Sequence, residues 1–253
     1  MKKPILSLTV LGLAASLFAI PVVKAGGNTA ERSASTHTSI ISTSTHAAKA
    51  IMAEAVEAAG AALYERLGLA AMGLSKQTLQ YAYKGYAQLA ARGAVRNNTL
   101  TVVDFSQSSR KKRMYIIDMD KEEVLLNTYV AHGKNSGLDY ANKFSNRMSS
   151  LQSSLGFYVT ENTYFGKHGL SLRLEGLERG YNDKAMERAI VVHGANYIGE
   201  HRRNSGYNGR SFGCPAVPAH QSKKVINWIK EGSILFIYHP SNGYLHGSKL
   251  LNG

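Results

Sequence analysis

The sequence predicts an α+β chain whose larger part is mainly β, preceded by a small α-helical region. Three observations carry this reading. Residues 46–96 set apolar side chains at helical spacing. From Thr99 the spacing changes to the two-residue period of strands. Successive strand-like runs then follow one another across short polar breaks, the pattern of an antiparallel meander.

Met1-Lys2-Lys3, an apolar run from Ile5 to Ile20 and Pro21-Val22-Val23-Lys24-Ala25 read as a secretory signal peptide over residues 1–25, cleaved after Ala25. Gly12 and Ser16 interrupt a run already short for a span, so no stable membrane anchor is expected after cleavage. Residues 26–45 are rich in Ser, Thr, Gly and Ala and read as a flexible leader.

Within the helical region, Met52, Val56, Ala59 and Leu63 form one stripe. Leu79, Ala82, Tyr83, Tyr86 and Leu89 form a second, with Ser75 as N-cap and Gly93 as stop. The tyrosines fit a core-and-rim role better than a glycan-stacking surface. Residues 97–240 then form the β domain. Its first strands are Leu100–Phe105, Arg113–Asp118 and Val124–Ala131. The cluster Arg110-Lys111-Lys112-Arg113 reads as a solvated hairpin rim.

Residues 134–154 are a long polar loop, a candidate wall or lid of a cleft. Strand character resumes at 156–160 and 170–174, and Lys184–Arg188 fits one helical turn. Arg188–His193 is a short strand and 194–212 a glycine-rich loop. Ala219–Lys230 is a helix with Val225, Ile226 and Ile229 inward, Ser233–His239 the last strand and 241–253 a tail.

The net charge is +13, and removing Lys2, Lys3 and Lys24 with the signal peptide lowers it to +10. Such a surface favours anionic partners. The basic residues are scattered and no nucleic-acid-binding motif is present, so no nucleic acid is expected as partner. None of the nine histidines has a metal-ligand spacing, and no phosphate-cradling or dinucleotide fingerprint occurs. No metal or cofactor is expected.

Cys214 is the only cysteine. One reading makes it a small buried hydrophobe. The other makes it a nucleophile, which needs a base and an exposed turn. His193, at the end of a β-branched run, offers the base. Gly213 and Pro215 offer the turn, and the N–H groups of Gly213 and Cys214 a possible oxyanion site. Arg210, four residues before the sulfur, suits a substrate carboxylate. His132, in Val130-Ala131-His132-Gly133, is a further candidate for substrate contact.

His193, a spacer of 17 residues and Ser211-Phe212-Gly213-Cys214 resemble the signature of YkuD-type murein L,D-transpeptidases. Gly209-Arg210-Ser211-Phe212-Gly213-Cys214-Pro215-Ala216-Val217 resembles a Gram-negative branch with an aromatic residue before the motif glycine. Ser154–Tyr158, Gly166-Lys167-His168-Gly169, Val130–Gly133 and Phe144-Ser145-Asn146 extend the match. The resemblance implies a mixed β-sandwich or partly closed barrel as the catalytic domain over residues 97–240. It implies Cys214 as nucleophile, His193 as base, Ser211 beside the substrate, and peptidoglycan stem peptides as donor and acceptor. Phe212 stands where most members carry histidine, which leaves the acceptor open. An L,D-carboxypeptidase or endopeptidase, or a non-catalytic wall-binding protein, are the alternatives. The leader and the resemblance together imply a periplasmic location.

Overall fold

A computed structural model describes residues 34–253, with side chains from residue 47 onward. The signal peptide expected at 1–25, and residues 26–33 of the expected leader, lie outside the described residues. Helix α1 spans Ala34–Arg66, so it runs through residues 34–45, where a leader was expected. Helix propagation adds one bond for each residue fixed, so the alanine-rich segment behind can carry a weaker upstream stretch. Residues Ala48–Gly253 form one compact unit.

Helix α2, Lys76–Ala91, starts where the sequence places it: the Ser75 hydroxyl accepts from Thr78 N–H at 3.1 Å. Thr78, Leu79, Ala82, Gly85 and Leu89 are its buried face. A Cβ on Gly85 would stand 2.0 Å from the Phe157 ring, so only glycine lets the helix lie this close to the sheet.

The strands are β1 (Thr99–Asp104), β2 (Met114–Asp118), β3 (Glu123–Thr128), β4 (His132–Gly133), β5 (Gly156–Gly166), β6 (Gly169–Gly176), β7 (Val191–Ala195), β8 (Arg210–Ser211), β9 (Ala216–Pro218) and β10 (Ile234–Tyr238). Eight of them make one mixed sheet in the order β3-β2-β1-β10-β5-β6-β7-β9, and β4 pairs with β8. The expected β1-β2-β3 meander is antiparallel throughout. β1–β10 and β7–β9 are parallel pairs.

Helix α3, Ala219–Ile229, buries Val225, Ile226 and Ile229. The chain is thus mainly β within an α+β whole.

Two expectations fail for the same reason, burial with partners supplied from a distance. Residues 241–253 are not a loose tail. They form helices α4 (Asn242–Gly247) and α5 (Lys249–Asn252), and Tyr244, Leu250 and Leu251 join the core. Buried Glu178 holds them: it accepts from Phe157 N–H at 2.8 Å, from Tyr244 O–H at 2.8 Å and from the Ser248 hydroxyl. Arg113 is not on a solvated rim but fully buried. Its guanidinium donates to Gln107 O at 2.9 Å, to Val130 O at 3.0 Å and to His132 Nδ1 at 2.7 Å. Burial lowers it to about 9, so it stays charged at neutral pH.

Candidate active site

Parallel pairing of β7 with β9 sets His193 opposite Ala216, two residues beyond Cys214. Neighbouring strands lie about 4.8 Å apart, so the Cys214 turn flanks the strand that carries the imidazole. The thiol faces Ala189 O at 3.6 Å, just upstream of β7. The N–H groups of Val191 and of Cys214 itself also act on the sulfur. Cys214 is half-buried.

A dense set of bonds shapes the turn. Gly213 has φ +129, a region L side chains rarely adopt, and a Cβ there would come within 2.9 Å of Gln152 O. The Ser211 hydroxyl accepts from Gly213 N–H at 3.0 Å and donates to Cys214 O at 2.6 Å. Ala216 N–H also donates to Cys214 O at 3.0 Å, closing a three-residue turn around Pro215. Ser153 Oγ donates to Gly213 O at 3.2 Å and accepts from Gly133 N–H at 3.0 Å. Two expectations change as a result. Ser211 braces the turn from within instead of facing a substrate. The Gly213 N–H is taken by Ser211, which leaves the Cys214 N–H of the expected oxyanion pair.

At neutral pH Cys214 rests as the thiol and His193 as the neutral imidazole. Burial pushes the Cys214 thiol above its ordinary value, against the Val191 N–H and the positive charges of Arg188 and Lys167. Burial lowers His193; the Gly194 carbonyl opposes this, while His168 and Lys167 add to it. His193 Nδ1 lies 2.9 Å from Gly194 O. A carbonyl only accepts, so Nδ1 carries the proton and Nε2 presents the lone pair. The orienting group is thus a main-chain carbonyl.

Arg188 is the site residue the sequence did not reveal. It donates to Ser145 O at 2.7 Å, Gln152 O at 2.6 Å, Ser150 Oγ at 3.2 Å and Ser154 Oγ. These bonds fasten the 145–154 segment as a wall under the Cys214 turn, so that part of the loop is fixed in place. A single arginine ahead of a β-branched run carries no local signal of these long-range bonds.

His132 does not reach the surface, which corrects its reading as a substrate contact. It is fully buried; Nδ1 accepts from Arg113 and Nε2 lies 3.3 Å from Gly137 O. Burial and the Arg113 charge lower it to about 3, so it is neutral. Arg210 spends Nη1 on Lys134 O at 3.0 Å and Gly137 O at 3.4 Å, and its guanidinium lies 4.6 Å from the Tyr207 ring centre. It ties β8 to the loop after β4 more than it awaits a carboxylate. Phe212 is 64% exposed, with Lys134 Nζ 4.6 Å from its ring centre.

A family model described as "L,D-transpeptidase catalytic domain" matches residues 70–238. No curated protein matches the chain. It is similar to the solved structure titled "L,D-transpeptidase from Mycobacterium smegmatis", with 14% identity, a TM-score of 0.36, and coverage of 56% of this chain and 59% of that one. It is also similar to "Crystal structure of L,D-transpeptidase (Yku) from Stackebrandtia nassauensis", with 13% identity, a TM-score of 0.33, and coverage of 74% of this chain and 80% of that one. The chain thus spans less than two thirds of the first of these.

Proposed function

Because the chain belongs to the L,D-transpeptidase catalytic domain family, we propose that it is a cysteine-dependent transpeptidase of peptidoglycan stem peptides. Cys214 Sγ attacks the carbonyl at the L-centre of the donor's diamino acid, and His193 Nε2 takes the thiol proton. The tetrahedral oxyanion lies against the Cys214 N–H. His193 then returns the proton to the departing amine of D-alanine, which leaves a thioester on Cys214. The amine of a second stem peptide attacks the thioester, His193 accepts its proton, and the thiol is restored as the new amide forms.

The observation that carries this reading is the bond from His193 Nδ1 to Gly194 O, which fixes the tautomer with a basic Nε2 on the strand beside the Cys214 turn. A resting neutral pair makes proton transfer part of the attack instead of a step before it.

One observation favours a second outcome for the thioester. The exposed ring of Phe212 offers an acceptor no polar hydrogen-bonding group. In this second reading water competes with the amine, giving an L,D-carboxypeptidase or endopeptidase on the same acyl-enzyme. Incubation with purified muropeptides and mass analysis of the products decides: dimers mean transfer, shortened monomers hydrolysis. The sequence pattern of residues 1–25 supports export to the periplasm, where this substrate lies.

A further inference from the structure

A second imidazole is stacked on the proposed base. His168 sits at the β5–β6 tip, between Gly166 and Gly169, and its ring centre lies 4.2 Å from that of His193 with the planes 21° apart. β6 leads from this tip to pair with β7, setting Ser171 opposite His193. His168 is exposed, outside the core, and no hydrogen bond engages its ring among the described residues. Its one aromatic partner among the described residues is His193. The fold does not need this ring; the base is what it touches.

One hydrogen bond at Nδ1 directs an imidazole along a line but leaves its plane free to rock. A ring packed on its face removes that freedom. We propose that His168 is a positioning residue, acting through His193: it covers the imidazole's open face and fixes the plane in which Nε2 accepts the Cys214 proton. The proposal rests on the reading of His193 as base.

Lys167, beside His168, acts on both His193 and Cys214. Arg188 acts on Cys214 and is spent on the 145–154 wall. Arg173 on β6 lies over the Tyr164 ring at 4.4 Å. On the α3 side, the nearest group to Gly194 is the uncharged Ser222. His168 also adds to the lowering of His193, behind burial.

Two variants of the full chain, His168→Ala and His168→Phe, separate stacking from charge. The His193 titration is followed by imidazole NMR, and D-alanine release from a stem tetrapeptide is followed against pH. His168→Ala should lower kcat by roughly tenfold, short of the 10²–10⁴ attached to loss of a base, with KM little changed. His168→Phe should restore most of that rate. The His193 midpoint should rise in both, further in the alanine variant, which also uncovers the ring. A His168→Ala enzyme with the parent's rate and the parent's His193 midpoint overturns the proposal, as does equal loss of rate in both variants. Cys214→Ala, run alongside, keeps the two ideas apart. D-alanine release surviving there defeats the underlying reading, whereas an inert Cys214→Ala beside an unaltered His168→Ala defeats only the role of His168.

Discussion

His193 turns Nδ1 onto the carbonyl of Gly194, 2.9 Å away, and that bond selects the nitrogen that can accept a proton. The partner is main chain, so no side-chain substitution removes it. Control over the direction of the His193 ring therefore comes from the backbone of β7, and control over the Cys214 sulfur from the turn that precedes β9.

Ser211 is the lever on that turn, because its hydroxyl both accepts from Gly213 N–H and donates to Cys214 O. Ser211→Ala deletes both bonds, leaving Gly213 N–H short of a partner and Cys214 O with Ala216 N–H alone. A loss of roughly tenfold to a hundredfold in the acylation rate is expected, since about 1 Å of misplacement at a reacting group has that effect. Ser211→Thr, which keeps the hydroxyl, should retain more activity. Stopped-flow acylation of the two variants checks the order.

The resting charges of the pair are open to direct titration. Burial raises the Cys214 thiol and lowers His193, so thiol and neutral imidazole coexist at neutral pH. Alkylation by iodoacetamide should climb with pH past the ordinary thiol value without levelling off near neutrality. A plateau beginning below pH 7 would mean a preformed thiolate–imidazolium pair.

Acid should destabilise the fold through His132. Its folded value is lowered to about 3, so the unfolded chain binds the extra proton between about pH 6.5 and 3. Stability is fully present above the upper limit and falls as pH drops through this window, by up to about 1.4 kcal/mol per pH unit. His193 and His239 are lowered too and act with the same sign. Urea unfolding of the parent and His132→Asn should show a shallower dependence on pH in the variant.

Glu178 fastens the C-terminal helices to the sheet through Phe157 N–H, Tyr244 O–H and Ser248. Glu178→Ala leaves these buried donors unpaired, a destabilisation of about 3 kcal/mol or more. The melting temperature should drop by roughly 6–12 °C. Calorimetry tests this, and a drop of a degree or less would assign the anchoring to Leu250 and Leu251.

Local signals made much of the scaffold legible in the sequence. Ser75 capping α2, the inward face of α3 and the alternation in β1 and β2 each depend on neighbours a few residues away. Long-range partners left no such mark. The parallel pairing of β1 with β10 spans most of the β domain, and Arg113, Glu178 and Arg188 look in sequence like surface charges. The site divides the same way. Cys214 and His193 stand out by type and spacing, whereas the Ser211 brace, the Arg188 clamp and the His168 stack exist only once strands distant in sequence lie side by side.

The most direct test is intact-mass analysis after brief incubation with a stem tetrapeptide, followed by mapping of the acylated peptide. The parent should gain the mass of the tripeptide acyl group as free D-alanine appears, with the acyl group on Cys214. Cys214→Ala should gain nothing and release nothing. An adduct on another residue, or D-alanine released by Cys214→Ala at the parent's rate, would contradict the assignment of this sulfur as nucleophile.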